Sequence, residues 1–396
     1  MVMAKTVILG AGYGGMATAV ALEKSHQPFT IINKHEYHYF TTLLHEPAGG
    51  RNQFENYSVP LRDVLHRAES EILVASVNAL RPQENKVVTD SGEVDYEYLV
   101  IALGNAPEYF GIPGMQDNAL VLRSLDTARQ VHEHIENTFK SWQEDHDDTR
   151  LRILVGGAGL TGIELCGELA EWMPELAADY NLPLEKIELI NLEAAPSILP
   201  MLDEGLREEA RRVLESKGVQ LRTGTAITKV NPNQVELKTG ETIDAKTIIW
   251  TGGVRANPLI KEAGFEVDPK GRAKVNEFCQ SVDYENVFVI GDSAWFTGED
   301  GKPLPPTGQA AEQMGSLVAD NLIALQNGGS MQAFHFNNRG TLASLGAEVG
   351  VGSVKGIPAK GVSAALLKEA TKVKYLWHLG GLRMLSEKRG QFKRKG

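Results

Sequence analysis

Two groups of glycines have the spacing G-x-G-x-x-G, which lets a protein backbone approach a pyrophosphate closely. The first group consists of Gly10, Gly12 and Gly15, and the second of Gly157, Gly159 and Gly162. The first glycine of the pattern permits a tight strand-to-helix turn, the second leaves room for phosphate, and the third brings the helix against the strand. Backbone N–H groups at the start of that helix then bind the anion. One such motif is weak evidence, but two indicate two dinucleotide sites.

The residue that follows the second strand of each unit distinguishes the two sites. In this arrangement an acid usually holds the ribose hydroxyls of the dinucleotide. Glu193 directly follows the apolar run 187–192, and its carboxylate would repel a 2′-phosphate, which favours NADH over NADPH. A surface acid at a strand end is the alternative. Asn33 and Lys34 occupy this place in the first unit, so the first site departs from the usual pattern.

Short apolar runs around each glycine group predict strand–loop–helix–strand units. The predicted strands are 6–9, 29–32, 152–155 and 187–192, and the predicted helices are 16–24 and 163–175. Further buried strands are expected at 97–104, 247–253 and 286–292. The polar stretch 143–150 is interpreted as a linker before the second unit. This alternation of strands and helices predicts an α/β fold.

The overall composition is that of a globular protein large enough for two or three domains. The chain has 396 residues, of which 42% are hydrophobic and 23% charged, and its net charge of −11 argues against nucleic acid as a partner. Cys166 and Cys279 form neither a CxxC nor a CxxxxC motif, so no disulfide framework is expected, and no metal site is predicted. No apolar run is long enough to span a membrane, and no secretory signal is recognised.

Four glutamates follow the second glycine group at helical spacing. They are Glu164, Glu168, Glu171 and Glu175, and apolar residues lie on the opposite stripe. For Glu171 and Glu175 we predict the solvated face of an ordinary amphipathic helix. Glu164 lies in the first turn, nearest the expected dinucleotide, and Glu168 is the secondary candidate for contact with it. Cys166 lies on the apolar stripe and is predicted to be a core residue.

The C-terminal residues differ from the rest of the chain in charge. Residues 368–396 contain nine Lys or Arg and two acids, interleaved with apolar and aromatic residues that include Tyr375 and Trp377. This combination is typical of a helix that lies in a membrane interface, where anionic lipid attracts the basic side chains. A basic helix packed on the protein's own core, or a disordered end, is the alternative. Membrane association is the prediction favoured for residues 363–396.

The motifs together resemble those of the two-dinucleotide-binding flavoproteins. The motifs in common are 10–15, 101–104, 157–162 and 289–292. The more specific features are Asn33-Lys34 with Tyr37-His38-Tyr39, the segment 305–313 and the basic C-terminal tail. These features are similar to those of the type II NADH:quinone oxidoreductases. Gly308 stands where that family has alanine, which is a mild departure.

The resemblance implies two Rossmann-like dinucleotide-binding domains in a glutathione-reductase-like arrangement, plus a C-terminal membrane-associating segment. The expected boundaries are 1–115 and 272–335 for an FAD domain, 116–271 for an NADH domain, and 336–396 for a membrane-anchoring, quinone-side region. Non-covalent FAD is expected to contact Gly10, Gly12, Tyr13, Gly14, Gly15, Asn33, Lys34, Thr42, Gly104, Asp292, Gln309 and Ala310. NADH is expected to contact Gly157, Gly159, Leu160, Thr161, Gly162, Glu164, Glu193 and Gly253. For Asp292 the alternative is an ordinary turn acid after Gly291.

The resemblance also implies a reaction, in which NADH passes hydride to FAD and FAD then reduces a membrane quinone, menaquinone or ubiquinone, without proton pumping. Glu164, or secondarily Glu168, is expected beside the nicotinamide. Gln309 and Gln313 are four residues apart and share a helix face, so their amides are expected to donate to quinone carbonyls. A polar stripe on a surface helix is the alternative. The expected state is a homodimer, peripheral and monotopic on the cytoplasmic face of the cell membrane.

Three other functions compete with this interpretation. A sulfide:quinone oxidoreductase has the same architecture but needs redox cysteines, which Cys166 and Cys279 are not placed to supply. A soluble NADH-dependent flavin reductase or oxidase is the next alternative, and its disulfide-reducing version is disfavoured because the CxxxxC motif is absent. An NAD(H)-sensing flavoprotein would bind the nucleotide tightly without turnover.

Overall fold

Two parallel five-stranded sheets form the framework of the protein. The structure, a computed structural model, describes residues 5–298 and 301–388. Across the first sheet the strands are Val287–Val289, Tyr98–Ile101, Thr6–Leu9, Phe29–Asn33 and Ser70–Val74. Across the second sheet they are Leu120–Val121, Thr247–Trp250, Arg152–Gly156, Glu188–Leu192 and Val219–Arg222. The prediction of an α/β fold is confirmed.

The two sheets are built on the same plan. In each, the strand before the glycine loop is central, and the strand after the following helix pairs with it in parallel. Each sheet is accompanied by a three-stranded antiparallel sheet, formed by Val77–Arg81, Lys86–Thr89 and Gly92–Asp95 and by Ile227–Asn231, Gln234–Leu237 and Thr242–Asp244. The chain returns to the first sheet with Val287–Val289 after it has completed the second.

Burial explains why these apolar runs form central parallel strands. The side chains of residues 7–9 and 153–155 are fully buried, as expected where helices cover both faces of a sheet. The parallel register pairs Leu9 with Ile32, so the loop that begins at Gly10 meets Asn33 at the carboxyl edge of the sheet. Ligands of open α/β sheets bind at this edge.

The long helices cover the sheets and end the chain. They are Tyr13–Lys24, Leu125–Lys140, Leu160–Asp179, Glu204–Ser216, Gly308–Gln326 and Gly361–Lys388. The short helices are His45–Ala48, Leu61–Val64, Met115–Asn118, Trp142–Asp145 and Pro258–Glu262. Tyr13–Lys24 and Leu160–Asp179 are called the first and second loop helices, and Gly308–Gln326 the glutamine helix. Thr307 caps the N-terminus of the glutamine helix, because its hydroxyl accepts a hydrogen bond from the N–H of Ala310.

Short strand pairs connect these layers. Tyr37–Tyr39 pairs with Ser58–Pro60, and Ala273–Lys274 pairs with Ala294–Trp295. Asn105–Pro107 follows the first sheet, Val254–Ala256 follows the second, and the two strands pair antiparallel. This last pair joins the carboxyl edges of the two sheets, which is where each glycine loop lies.

The C-terminal part consists of a small sheet and a long helix. Gly340–Ser344, Gly350–Val354 and Ile357–Lys360 form an antiparallel sheet, and Gly361–Lys388, called the C-terminal helix, follows it directly. Gly380 and Gly381 have non-helical backbone angles and interrupt that helix. Within the residues that the structure describes, no helix is long and apolar enough to cross a membrane.

The interpretation of 143–150 as a linker is wrong. The preceding helix, Leu125–Lys140, already packs on the second sheet and buries Val131 and Ile135 there. The polar stretch itself forms the helix Trp142–Asp145 and a 3-10 turn at Asp148–Leu151. Its polarity reflects solvent exposure at the surface of the second unit rather than a boundary between units.

Candidate active site

The first glycine loop, residues 10–15, has the shape of a phosphate cradle. Gly10 has φ +94°, a conformation that L side chains rarely adopt, and a Cβ there would lie 2.5 Å from the carbonyl oxygen of Ala102. A Cβ at Gly15 would clash with the carbonyl of Gly10. At Gly12, by contrast, a Cβ would meet no protein atom within 4 Å. The open space of the loop therefore lies over Gly12, at the N-terminus of the first loop helix.

The second glycine loop, residues 157–162, repeats this geometry. Gly157 has φ +102°, a Cβ at Gly162 would clash with the carbonyl of Gly157, and the space over Gly159 is open. Gly12 has φ −76° and ψ −171°, and Gly159 has φ −71° and ψ −173°. The two loops thus present the same free N–H groups to the same kind of space, which fits one pyrophosphate at each.

The polar residue after the second strand of each unit bonds its own glycine loop. The N–H of Ala11 donates to Oδ1 of Asn33 over 3.0 Å, and the N–H of Ala158 donates to Oε2 of Glu193 over 2.6 Å. Glu193 Oε1 also accepts from the N–H of Ala195. Asn33 and Glu193 are therefore structural equivalents, but only Glu193 puts a negative charge at this edge.

Asp292, a carboxylate that could contact a cofactor, also lies near the first loop. Asn105 donates to Oδ2 of Asp292 over 2.6 Å, and burial raises the pKa of Asp292. Gly104 has φ +66° with open space beside it. Tyr13 and Thr42 share a hydrogen bond of 2.7 Å at the surface, while Lys34 is exposed. The residues expected to contact FAD thus surround one loop and one sheet edge.

His38 links the first glycine loop to the C-terminal helix, a contact that sequence reasoning did not assign. Burial lowers the pKa of His38 to about 4, so the ring is neutral near pH 7. Its Nδ1 lies 2.7 Å from the carbonyl of Ala11 and its Nε2 lies 3.0 Å from the hydroxyl of Tyr375. These partners place the proton on Nδ1, which donates to Ala11, and Nε2 accepts from Tyr375. The Tyr37-His38-Tyr39 run is the feature of the sequence that could have indicated this contact.

Glu164 and Glu168 are buried rather than solvated. Glu164 Oε1 accepts from the N–H of Ser344 over 3.1 Å and contacts the ammonium of Lys368. Glu164 Oε2 lies 3.4 Å from Nδ1 of His45. Glu168 receives two bonds from the guanidinium of Arg51, one of them from Nε over 2.7 Å. Glu164 therefore faces the C-terminal segments, and Glu168 faces the segment 45–51.

These side chains belong to a larger group that we call the buried charge cluster: Glu46, Arg51, Glu164, Glu168, Lys368 and Lys372. Lys372 donates to Oε1 of Glu46 over 2.6 Å, and the hydroxyl of Tyr57 donates to Oε2 over 2.9 Å. Arg51 Nη1 lies 3.4 Å from Oε1 of Glu46. The cluster joins the segment 45–51, the second loop helix and the C-terminal helix.

Burial and neighbouring charges shift the proton affinities in this cluster. Burial raises the pKa of Glu168 to about 8, with Arg51 opposing the rise. Burial lowers the pKa of Lys368 to about 7. For Glu46 burial acts against ionisation, but Lys372 and Arg51 outweigh it and lower the pKa. Burial and Lys368 lower the pKa of His45 well below its usual range. Burial thus brings the pKa values of both Glu168 and Lys368 close to neutral pH.

One prediction about exposed charge is wrong. Glu171 is not on a freely solvated face, because it accepts from Lys217 over 2.6 Å and from the N–H of Ala347 over 3.0 Å. Lys368 and Lys372 pair with buried carboxylates, whereas Lys374 and Arg383 in the same helix are exposed. Glu175 is exposed, as predicted. Periodicity identified the helices but not the segments that cover them.

The amides of Gln309 and Gln313 hold the chain segment 337–340. Gln313 accepts from the N–H of Asn337 over 3.0 Å and donates to its carbonyl over 3.1 Å. Gln309 accepts from the N–H of Arg339 and donates to the carbonyl of Gly340, each over 3.0 Å. The two side chains do share one helix face, and that face holds the segment that leads into the C-terminal sheet.

The cysteines are core residues, as predicted for Cys166. Cys166 and Cys279 are both fully buried and free. Burial raises the pKa of Cys166 to about 12 and also raises that of Cys279. Neither thiol is therefore available as a redox nucleophile near neutral pH. No group of three or more His, Cys, Asp or Glu side chains suitable for a metal occurs in the described part of the chain.

Comparison with known proteins agrees with this geometry. Residues 4–315 match the sequence family of pyridine nucleotide-disulphide oxidoreductases. The type II NADH:quinone oxidoreductases of Staphylococcus aureus and Staphylococcus epidermidis are each 38% identical to the chain, over 98% of the chain and 98% of the relative. The family match ends at residue 315, whereas the matches to the two relatives cover almost the whole chain.

Solved structures show the same fold. The structure of NDH2 from Plasmodium falciparum in complex with NADH covers 95% of this chain and 96% of its own, with a TM-score of 0.87 and 16% identity. The sulfide:quinone oxidoreductase of Aquifex aeolicus has a TM-score of 0.76 at 21% identity, covering 95% of this chain and 91% of its own. At such identities the likeness concerns the fold alone. On the sequence matches, the chain belongs to the type II NADH:quinone oxidoreductases, membrane-associated FAD enzymes that transfer electrons from NADH to quinone.

Proposed function

We propose that the first glycine loop binds FAD, that the second binds NADH, and that quinone is reduced on the side of the C-terminal helix. The observation that carries this assignment is the repeated loop geometry, with open space over Gly12 and over Gly159. FAD, when bound, supplies an acceptor for hydride from NADH and a donor of two electrons to quinone. The protein itself supplies binding, orientation and proton transfer.

The proposed FAD residues lie in the segments 1–115 and 272–335. The N–H groups that follow Gly12, including those of Tyr13, Gly14 and Gly15, hold the pyrophosphate. Asn33 and Lys34 lie at the adenosine end, and Asp292, Gly104, Thr42, Gln309 and Ala310 lie along the rest of the cofactor. The pairing of Asn105 with Ala256 supports this path, since it joins the carboxyl edges of the two sheets at the residue that bonds Asp292.

The proposed NADH residues lie in the segment 116–271. The pyrophosphate binds at Gly157, Gly159, Leu160, Thr161 and Gly162. Glu193 selects NADH, because its carboxylate bonds hydroxyls but repels a 2′-phosphate. Gly253 follows the neighbouring strand of the same sheet edge. Glu164 is the residue of the second loop helix that we assign to the nicotinamide end, with Glu168 one turn behind it.

The quinone end is assigned to residues 336–396 together with Gln309 and Gln313. A quinone carbonyl that binds these amides must replace or share their present bonds to residues 337–340. The glutamines therefore also act as positioning residues for that segment. Lys368, with a pKa lowered to about 7 by burial and in contact with Glu164, is the cluster residue suited to deliver protons on this side.

The exposed face of the C-terminal helix supports membrane binding. Val362, Leu366, Val373 and Trp377 fall on one side of the helix and are each more than half exposed. Leu382, beyond the glycine interruption, is also exposed. Apolar side chains in such an arrangement insert into the interface of a bilayer. Residues 389–396, which contain four of the nine basic residues of the tail, lie outside the described residues.

The proposal extends beyond the site on the ground of the family resemblance. It includes a homodimer, attachment to the cytoplasmic face of the cell membrane through residues 363–396 on anionic lipid, menaquinone or ubiquinone as the acceptor, and turnover without proton pumping. The buried, high-pKa cysteines argue against sulfide oxidation through a cysteine pair.

A rapid-mixing experiment tests the reaction. The purified protein is expected to be yellow, to lose its flavin absorbance when mixed with NADH, and to regain it when then mixed with a short-chain quinone. A protein that takes up no FAD contradicts the flavin assignment. If NADH bleaches the flavin but quinone restores its absorbance no faster than air does, the quinone assignment is contradicted.

The prediction that the C-terminal helix binds membranes is best tested by placing one charged side chain on its exposed apolar face. Leu366→Asp is expected to weaken binding to vesicles that contain anionic lipid by about 10-fold or more, because the apolar contact is lost and a carboxylate would enter the interface. Flotation or sedimentation with vesicles measures this. Truncation is unsuitable, since the C-terminal helix also buries Leu376 and Lys372.

Leu184→Asp is the matched control, because Leu184 is an exposed apolar residue outside the C-terminal helix, in the turn that precedes the strand Glu188–Leu192. This variant should bind vesicles like the unaltered protein, and both variants should still be bleached by NADH. Equal vesicle binding by Leu366→Asp and Leu184→Asp would show that the C-terminal helix is not the membrane contact.

A further inference from the structure

Phe110 combines two features that folding alone does not explain. Its φ is +50°, in the left-handed region, where a bulky residue is strained. Its side chain is also 63% exposed, so burial of the ring does not offset that strain. Backbone strain of this kind persists where the surrounding structure imposes it, and it concentrates at functional sites.

The surrounding bonds hold Phe110 in this conformation. Its N–H donates to Oε1 of Glu108 over 2.8 Å, and the N–H of Glu108 donates to the carbonyl of Gly253 over 3.0 Å. The indole N–H of Trp250 donates to the carbonyl of Glu108 over 2.8 Å. The Phe110 and Trp250 rings meet edge to face, with centroids 6.4 Å apart. Phe110 is thus fixed to the carboxyl end of the strand Thr247–Trp250.

This position lies beside the second glycine loop. A Cβ at Gly253 would lie 3.0 Å from the Phe110 ring, and a Cβ at Gly157 would lie 2.7 Å from Cα of Gly252. Two successive glycines therefore separate the ring from the loop. Neither of these two positions carries a side chain that would fill the space between the exposed ring and the proposed pyrophosphate site.

The strand order indicates which half of a dinucleotide would reach Phe110. The strand Arg152–Gly156, which leads into the loop, lies between Glu188–Leu192 on one side and Thr247–Trp250 on the other. Glu193 ends the first neighbour and marks the adenosine ribose in the proposed function. From a pyrophosphate at the loop, the other half of the dinucleotide extends towards the second neighbour, where Gly253 and Phe110 lie.

We propose that Phe110 packs against the nicotinamide riboside of bound NADH and closes the outer side of that site. This inference rests on the proposed function, which places NADH at the second glycine loop. The ring supplies apolar contact area without flexible side-chain torsions, and its fixed backbone keeps it in place before NADH arrives. Phe110 is therefore a substrate-binding residue whose strain is retained for that contact.

The test uses the holoenzyme and the rate of flavin bleaching at increasing NADH concentration. Phe110→Ala is expected to raise the apparent Kd for NADH by about 5- to 10-fold, with little change in the KM for quinone. Phe110→Tyr should retain tight binding, because it keeps the ring. Leu184→Ala, at an exposed apolar position away from the loop, is the control and should bind NADH like the unaltered protein.

Phe110→Gly separates binding from folding. Glycine relieves the left-handed strain, so the thermal unfolding midpoint should stay the same or rise while NADH binding weakens as in Phe110→Ala. An unchanged Kd for NADH in both variants overturns the inference, and so does a weakening that accompanies a lowered midpoint in Phe110→Gly. If the unaltered protein is not bleached by NADH at all, it is the proposed function that fails.

Discussion

Gly12→Val is expected to give a folded, colourless protein, and Gly159→Val a yellow protein that NADH no longer bleaches. At both positions the protein leaves open space, and both residues have extended backbone angles that valine adopts readily. The added side chain therefore fills the phosphate space without disturbing the protein around it. Loss of several charge-assisted hydrogen bonds to the pyrophosphate should weaken the binding of each cofactor by about 100-fold or more.

The crossed design makes this prediction specific. Flavin content is measured by absorbance after gel filtration, and bleaching by rapid mixing with NADH; unfolding midpoints of the FAD-free proteins should match. Gly15→Ala and Gly162→Ala are unsuitable for this test, because their Cβ atoms would clash with the carbonyls of Gly10 and Gly157 and so disturb the protein itself. If Gly12→Val remains yellow, or if Gly159→Val loses FAD, the assignment of one cofactor to each loop is wrong.

The glycine loops could be predicted from the sequence because their function is local. A turn with positive φ at Gly10 and Gly157, a close approach at Gly15 and Gly162, and an open position between them follow from neighbouring residues. The equivalence of Asn33 and Glu193 is local in the same sense, since each lies at the end of the strand beside its loop.

The buried charge cluster could not be predicted in this way. Lys368 and Glu164 meet although 204 residues separate them, and Lys372 meets Glu46 across 326 residues. Spacing along the second loop helix shows that its glutamates share a face, but a solvated face and a face covered by another helix have the same periodicity. The basic tail and this acidic face were predicted separately, and nothing in either indicated that they pair.

The same difficulty applies to Gln309 and Gln313. Their spacing correctly places both amides on one helix face, but that spacing is equally suited to a ligand and to a neighbouring backbone. The structure bonds them to residues 337–340. Polar side chains at helical spacing thus identify a contact surface without identifying its partner, which depends on the path of the distant chain.

Arg51→Met is expected to destabilise the protein in a pH-dependent way, because it leaves Glu168 buried without its cation. Arg51 donates two bonds to Glu168 and is the charge that lowers the pKa of that carboxyl. Loss of these bonds should reduce the free energy of unfolding by about 2 kcal/mol near neutral pH. The urea midpoint of the holoenzyme measures this loss.

The sign of the pH dependence follows from the raised pKa of Glu168. Burial raises the pKa of Glu168 from 4.5 to about 8 in the folded protein. The unfolded chain therefore releases the Glu168 proton at lower pH than the folded protein does. The contribution of Glu168 to stability consequently falls as the pH rises between those two values. Without Arg51 the folded pKa rises further. In the unaltered protein Glu168 then contributes no further loss of stability above about pH 8, whereas in Arg51→Met this carboxyl continues to remove about 1.4 kcal/mol per pH unit relative to the unaltered protein.

Two variants decide whether the buried carboxylate is the cause. Arg51→Met combined with Glu168→Gln should regain most of the stability lost above pH 8, because no charge is left unpaired. Arg129→Met removes the exposed partner of Glu55 and should cost less than about 1 kcal/mol at any pH. A deficit for Arg51→Met that is the same below and above pH 8, or that Glu168→Gln does not relieve, would mean that Arg51 acts through Glu46 or through packing instead. If the deficit grows as expected, charge pairing through Arg51 holds the segment 45–51 to the second loop helix, and this pairing depends on the protonation of Glu168, one helical turn from the proposed nicotinamide contact.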